Sequence, residues 1–235
     1  SEMKAFQACL ICIAARIAFS TAIAHSGWSE DVRLTDVFIA YEPQVLARND
    51  TIHVTWENLN FISYMRSVDG GETWDSLMVL TEPDHRSVYA DLSMGDNGLL
   101  VSWQDDNEIT HEETIAIRTS RDGTIWNDPL YIFTDNMHHF GIPASATKGD
   151  SIFLAYNAYR PDSTGWFPIR SYYSYDYGIT WSEEVTLGHT LLSSAQDLLM
   201  NYCNGFLMAI WAGDVDTVST GYHVIGYRST DAGQS

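Results

Sequence analysis

Four acids of this chain are placed to do chemistry: Glu57, Asp105, Asp106 and Asp214. Each follows a β-rich stretch ending in Trp56, Trp103 or Trp211. Carboxyl groups that face one another across a cleft can serve as acid and base on a glycosidic bond, and their separation sets the stereochemistry. Arg86 and Arg160 could hold polar groups of a ligand, because a guanidinium presents a rigid fork of donors. Trp166 and Tyr41 offer flat faces on which a sugar ring can stack. The competing reading is a solvated acidic rim, and a net charge of −19 favours it. His85, His111, His138, His139 and His189 collect in the same loops. Neighbouring residues of a strand point opposite ways, so His138 and His139 do not make a zinc site. Asp214-Val215-Asp216 is too short for a calcium loop. Neither a metal nor a cofactor is expected.

What must position these residues is a repeat. One turn motif occurs four times: Ser67-Val68-Asp69-Gly70-Gly71-Glu72-Thr73-Trp74, Ser120-Arg121-Asp122-Gly123-Thr124-Ile125-Trp126, Ser174-Tyr175-Asp176-Tyr177-Gly178-Ile179-Thr180-Trp181, and Ser229-Thr230-Asp231-Ala232-Gly233-Gln234-Ser235. The leading serines are 53, 54 and 55 residues apart. A period in that range marks a repeat architecture. The aspartate accepts hydrogen bonds from its own turn, the glycine supplies positive φ, and the tryptophan brings apolar surface to a neighbour. A β-rich segment precedes each copy. In the first, Ile52, Val54 and Trp56 alternate onto one face; the others are continuously apolar, as in strands buried on both sides. Four short strands per unit predict an all-β propeller of four-stranded antiparallel blades.

The pattern Ser-x-Asp-x-Gly-x-Thr-Trp resembles the Asp-box, or BNR repeat, of sialidases and related propellers. Copies one and three match it fully. Copy two is one residue shorter, and copy four matches as far as Gly233. The resemblance covers about residues 28 to 235. It implies a sialidase-like fold of six blades, of which about four are present, and a glycan or glycoconjugate as partner. Asp-boxes also occur in propellers without enzymatic activity, so a diverged exo-glycosidase and a non-catalytic module for protein or carbohydrate binding both stay open. The family's first substrate arginine lies in a Phe/Tyr-Arg-Ile-Pro motif. The matching stretches here are Tyr41-Glu42-Pro43 and Phe140-Gly141-Ile142-Pro143, with Glu42 or Gly141 in the arginine's place. A carboxylate there would repel the substrate carboxylate. The arginine motif is therefore absent from the visible chain, and activity stays open.

Up-and-down strand order puts the repeated turns on one face. The opposite face receives segments 35–42, 81–90, 134–143 and 187–196, and loops 57–60, 104–113, 157–167 and 212–221. This second face is the expected ligand face. The remaining composition narrows the partners. After the leader Lys148 is the only lysine, so no nucleic acid is expected. Residues 1–24 read as a signal peptide: Lys4, an apolar run, then Ala22-Ile23-Ala24. That predicts a secreted or periplasmic protein, with the propeller over 25–235 and no membrane span once the signal is removed. Cys203 is then the one thiol left, and it is expected to be buried. Residues 28–34 resemble the stretch after a repeated turn and are expected as the outer strand of a blade shared between the termini. A motif that stops before its tryptophan favours a fragment of a six-bladed ring over a closed four-bladed one.

Overall fold

The computed structural model describes residues 31–36, 39–110, 112–132, 140–158, 167–190, 196–213 and 223–230. The chain divides into two units, 1–36 and 37–235. In the first, residues 31–36 form no strand; Arg33 Nε donates to the Thr35 carbonyl at 2.7 Å. The outer strand expected over 28–34 is thus not found at 31–34, and its first three residues lie outside the described ones.

The second unit holds fifteen described strands in four antiparallel sheets. Blade one is β1 (Tyr41–Arg48), β2 (Thr51–Asn58), β3 (Phe61–Ser67) and β4 (Met78–Val79). Blade two is β5 (His85–Gly95), β6 (Gly98–Asn107), β7 (Glu113–Ser120) and β8 (Leu130–Ile132). Blade three is β9 (Phe140–Lys148), β10 (Ser151–Ala158), β11 (Phe167–Ser174) and β12 (Val185–Thr190). Blade four shows three strands: β13 (Gln196–Cys203), β14 (Phe206–Gly213) and β15 (His223–Ser229). Within each sheet the strands pair in chain order. The first strands lie side by side, β1 against β5, β5 against β9 and β9 against β13. This is a four-bladed propeller arrangement, and no helix occurs among the described residues.

The core lies in the seams. Ile62, Tyr64 and Leu80 of blade one pack on Leu92, Val101 and Trp103 of blade two. Leu100, Ile115 and Ile117 meet Ile152, Leu154 and Tyr156 across the next seam. Ala155 and Ile169 meet Leu198, Ala209 and Trp211 across the third. Middle blades are therefore covered on both sides, which explains the unbroken apolar runs of β6 and β10. The alternation expected in β2 does not separate a wet face from a dry one. His53 and Thr55 are buried as well, because His53 Nδ1 bonds the Tyr64 hydroxyl at 2.7 Å. Blade four ends the stack. Met208 is 46% exposed, whereas its equivalents His53, Leu100 and Phe153 are 4%, 0% and 2% exposed. Cys203 is exposed too, contrary to the expected buried thiol, because it sits at the end of β13 on this uncovered blade.

The repeated turns close on themselves. Ser67 Oγ accepts the Gly71 N–H at 2.9 Å and donates to Asp69 at 2.8 Å. Asp69 accepts the Thr73 N–H and hydroxyl, and Trp74 Nε1 returns to the Gly71 carbonyl. Ser174, Asp176, Gly178, Thr180 and Trp181 repeat this network. The threonine hydroxyls hold both aspartates down at about 2. In the shorter copy, Ser120 Oγ accepts the Gly123 N–H, and Asp122 Oδ1 takes both donors of Thr124. Trp74, Trp126 and Trp181 are only half-buried; the deeply buried indoles are Trp56, Trp103 and Trp211 on the second strands. Asp231 and Gly233 lie outside the described residues.

Neighbouring first strands share no ladder, so side chains tie them. Asp91 Oδ2 of β5 accepts the Ser145 N–H of β9 at 2.8 Å and its hydroxyl at 2.5 Å. Burial nevertheless pushes the Asp91 carboxyl up to about 6. The folded protein then holds a proton that the unfolded chain releases between about pH 4 and 6. This group's contribution to stability therefore falls as pH rises through that window, by up to about 3 kcal/mol. In thermal melts, Asp91→Asn should gain on the parent between pH 4 and 6.5. Parallel profiles would contradict the assignment.

Candidate functional site

Strand direction puts the starts of β1, β5, β9 and β13, and the ends of β2, β6, β10 and β14, on the face opposite the repeated turns. Each of the four first strands is bulged near this face. Two residues of the first strand oppose one of the second: Glu42 and Pro43 face Trp56, and Tyr89 and Ala90 face Trp103. Gly141 and Ile142 face Asn157, and Asp197 and Leu198 face Trp211. A bulge bends the strand and re-aims a side chain, and such kinks favour functional rims. Two of these positions carry non-glycine residues at positive φ, Glu42 at 49° and Tyr89 at 57°.

Behind every bulge sits a buried side chain, an indole in three blades. In blade three it is Asn157, 1% exposed, with neither amide atom paired among the described residues. A Cβ on Gly141 would stand 1.8 Å from the Asn157 Oδ1. Glycine is thus required where the amide lies against the strand, and the arginine absent from this position has no room here.

The corner between blades one and two carries charge. Tyr41 pairs with Glu57 across β1 and β2, and Tyr41 is exposed. The Tyr89 N–H, released by its bulge, bonds the Glu57 carboxylate, and the Arg86 guanidinium favours its charged form. Burial outweighs both and moves Glu57 above the usual carboxylate range. Glu42 also moves up, first through burial and then through repulsion from Glu57. Both carboxyls therefore hold their protons more tightly than free ones, with the arginine partly offsetting this at Glu57.

Asp105 and Asp106 separate. Asp106 is half-buried, directly across from Arg86 on β5 and Glu113 on β7. Asp105 is 1% exposed, and its oxygens are engaged by the His85 ring at 2.5 Å, Ser87 Oγ at 3.1 Å and Trp103 Nε1 at 3.0 Å. Asn107 Oδ1 accepts the N–H groups of Ile109 and Thr110, so its amide nitrogen faces His85 Nε2 as donor. That makes Nε2 the acceptor and puts the imidazole proton on Nδ1, toward Asp105. The pair anchors the start of β5 to the end of β6 and leaves no carboxylate face open to a substrate. Among the described residues, no three His, Cys, Asp or Glu gather as a metal site. Asp214, Arg160, Trp166, His111, His138 and His139 lie outside the described residues. Sequence reasoning marks Glu42 only as a bar to carboxylates; its pairing with Glu57 needs the bulge. One signal was available: Glu42–Trp56, Tyr89–Trp103 and Asp197–Trp211 share a spacing of 14.

No protein-family model and no curated protein matches the sequence. Solved structures do. A mutant of Trypanosoma rangeli sialidase with trans-sialidase activity superposes with a TM-score of 0.61 at 15% identity, over 87% of this chain and 38% of that one. The Penicillium chrysogenum alpha-L-arabinanase complexed with arabinobiose gives 0.51 at 14% identity, over 79% and 64%. Bombyx mori beta-fructofuranosidase in complex with sucrose gives 0.50 at 14%, over 80% and 46%. The chain has a sialidase-like propeller fold. It spans little more than a third of the sialidase chains it matches.

The coupling of Glu42 to Glu57 is directly measurable. Carboxyl NMR titration should find both above the usual range, and Glu57→Gln should lower the Glu42 pKa. An unmoved Glu42 would show that the two carboxyls do not share this corner.

Proposed function

We propose that this protein is an exported glycan-active propeller whose bulged face takes uncharged sugars and rejects acidic ones. The carrying observation is the Glu42–Glu57 pair at the first bulge, where a substrate carboxylate would meet the negative charge that the pair retains. Carboxyls with raised pKa values suit acid–base work on a glycosidic bond, one protonated as acid and the other ionised. Arg86 and Asp106 flank the pair and can bond sugar hydroxyls, and Tyr41 supplies a stacking face. Arg160, Trp166 and Asp214 lie outside the described residues; the strand order of the sequence assigns them to loops of this face, where they would extend the site. Asp105 acts as a positioning residue through His85. The arabinanase and fructofuranosidase among the similar folds are complexed with arabinobiose and sucrose, both uncharged. Export rests on the leader at residues 1–24. Among the described residues, no helix is long and apolar enough to cross a membrane, which says nothing of a β-barrel.

A binding module without turnover is the second reading, favoured by the absent substrate arginine and by the engaged Asp105. Fluorogenic glycosides separate the two. The hydrolase reading expects turnover of neutral glycosides, none of sialosides, and a loss of roughly 100-fold or more in Glu57→Gln. Neutral-glycan binding on an array without turnover would favour the module. Preference for sialosides in either assay would overturn the proposed selectivity.

A further inference from the structure

A groove of about 750 Å³ runs between the second and third repeated turns. Two differences from the first seam open it. There, the residue before the motif serine is Arg66, and its Nη1 crosses to the Asp122 carbonyl of the second turn at 3.0 Å. The residue before Ser120 is Thr119, too short to cross, and its hydroxyl accepts the Asn127 amide of its own turn at 2.8 Å. The second turn is also one residue shorter than the third.

The groove is braced from below. Tyr177, at a positive φ of 59°, sends its hydroxyl to the Ser120 carbonyl at 3.0 Å. Arg121 lies over the Tyr177 ring and donates to the Asn97 carbonyl, and the Asn97 amide bonds Asp150. A groove held in this way loses little freedom when a ligand enters. Its walls combine two chemistries. Ile125 and Ile179, one from each turn, are 79% and 82% exposed, and Tyr175 is exposed beside them. The turn itself does not require isoleucine, because the first copy carries Glu72 where the third carries Ile179. Asp122, Asp150 and Asp176 line the same groove. Threonine donors keep Asp122 and Asp176 below the usual carboxylate range, so both stay ionised. Arg121, the one cation lining the groove, is already committed to Tyr177, Asn97 and Asp150.

We propose that this groove docks an extended segment of a partner protein in which aliphatic and basic side chains alternate. Ile125, Ile179 and Tyr175 receive the aliphatic positions, and the three carboxylates receive lysine or arginine. A second copy of the chain is a poor occupant, because its net charge of −19 sets like against like. The inference is independent of the glycan reading, since the groove lies on the opposite side of the blades.

Fluorescence polarisation with three labelled hexapeptides tests it at physiological salt. One alternates isoleucine with lysine, one isoleucine with glutamate, and one serine with lysine. The isoleucine–lysine peptide should bind the parent and should bind the Ile125→Ser, Ile179→Ser double variant about tenfold or more weakly. Asp150→Asn should weaken it by roughly threefold. Both isoleucines are exposed, so the double variant should keep the parent Tm. Equal binding of the serine–lysine peptide, or binding that survives the double substitution, would overturn the proposal, because general attraction to an acidic surface would then suffice. So would no binding by the isoleucine–lysine peptide, or a Tm that falls in the double variant. Self-association, or binding to phosphatidylcholine vesicles, that is lost in the double variant would overturn it in favour of a second copy or a lipid surface.

Discussion

Burial of both faces of a sheet against its neighbours is the constraint on which this protein depends. A four-stranded sheet of this size cannot hold its apolar faces in water, and stacking turns each face into half of a seam core. Leu100 and Phe153 are closed off because another blade lies beyond them, while Met208 at the same register position is not. The repeated turns serve this stacking. Their Ser-Asp-Thr hydrogen bonds fold each hairpin end locally, so a half-buried indole can be offered to the seam.

The same constraint explains why the irregular backbone lies on the other face. Strands β5, β6, β9 and β10 are committed to seams along most of their length. Only where the first strands bulge does the chain escape the ladder and aim side chains differently. The buried Trp56, Trp103 and Trp211 brace these kinks from behind, and the freed Tyr89 N–H is taken by Glu57. A stiff scaffold thus carries one bulge position per blade, Glu42, Tyr89, Gly141 and Asp197, of which Gly141 is held to glycine by the Asn157 amide.

Fold and face were legible because their determinants are local. Ser67, Asp69, Gly71 and Thr73 bond one another within a single turn, and strand direction follows from up-and-down connection. The site was legible only in part. Asp105 reads as a free acid at a strand end, yet its partners His85 and Trp103 come from across a ladder and from two residues back. The Glu42–Glu57 pair was hidden because a bulge is a property of two strands in register, not of one sequence window. The alternation of Ile52, Val54 and Trp56 leaves His53 on the opposite face, yet Tyr64 satisfies it inside the seam.

Native-state hydrogen exchange tests the stacking account most directly. If seams supply the stability, the amides of β6 and β10, covered on both sides, should exchange slowest, and those of β1 and β15 at the ends of the stack should exchange fastest. Protection in β1 or β15 equal to that of β6 would contradict it, because stability would then arise within single sheets.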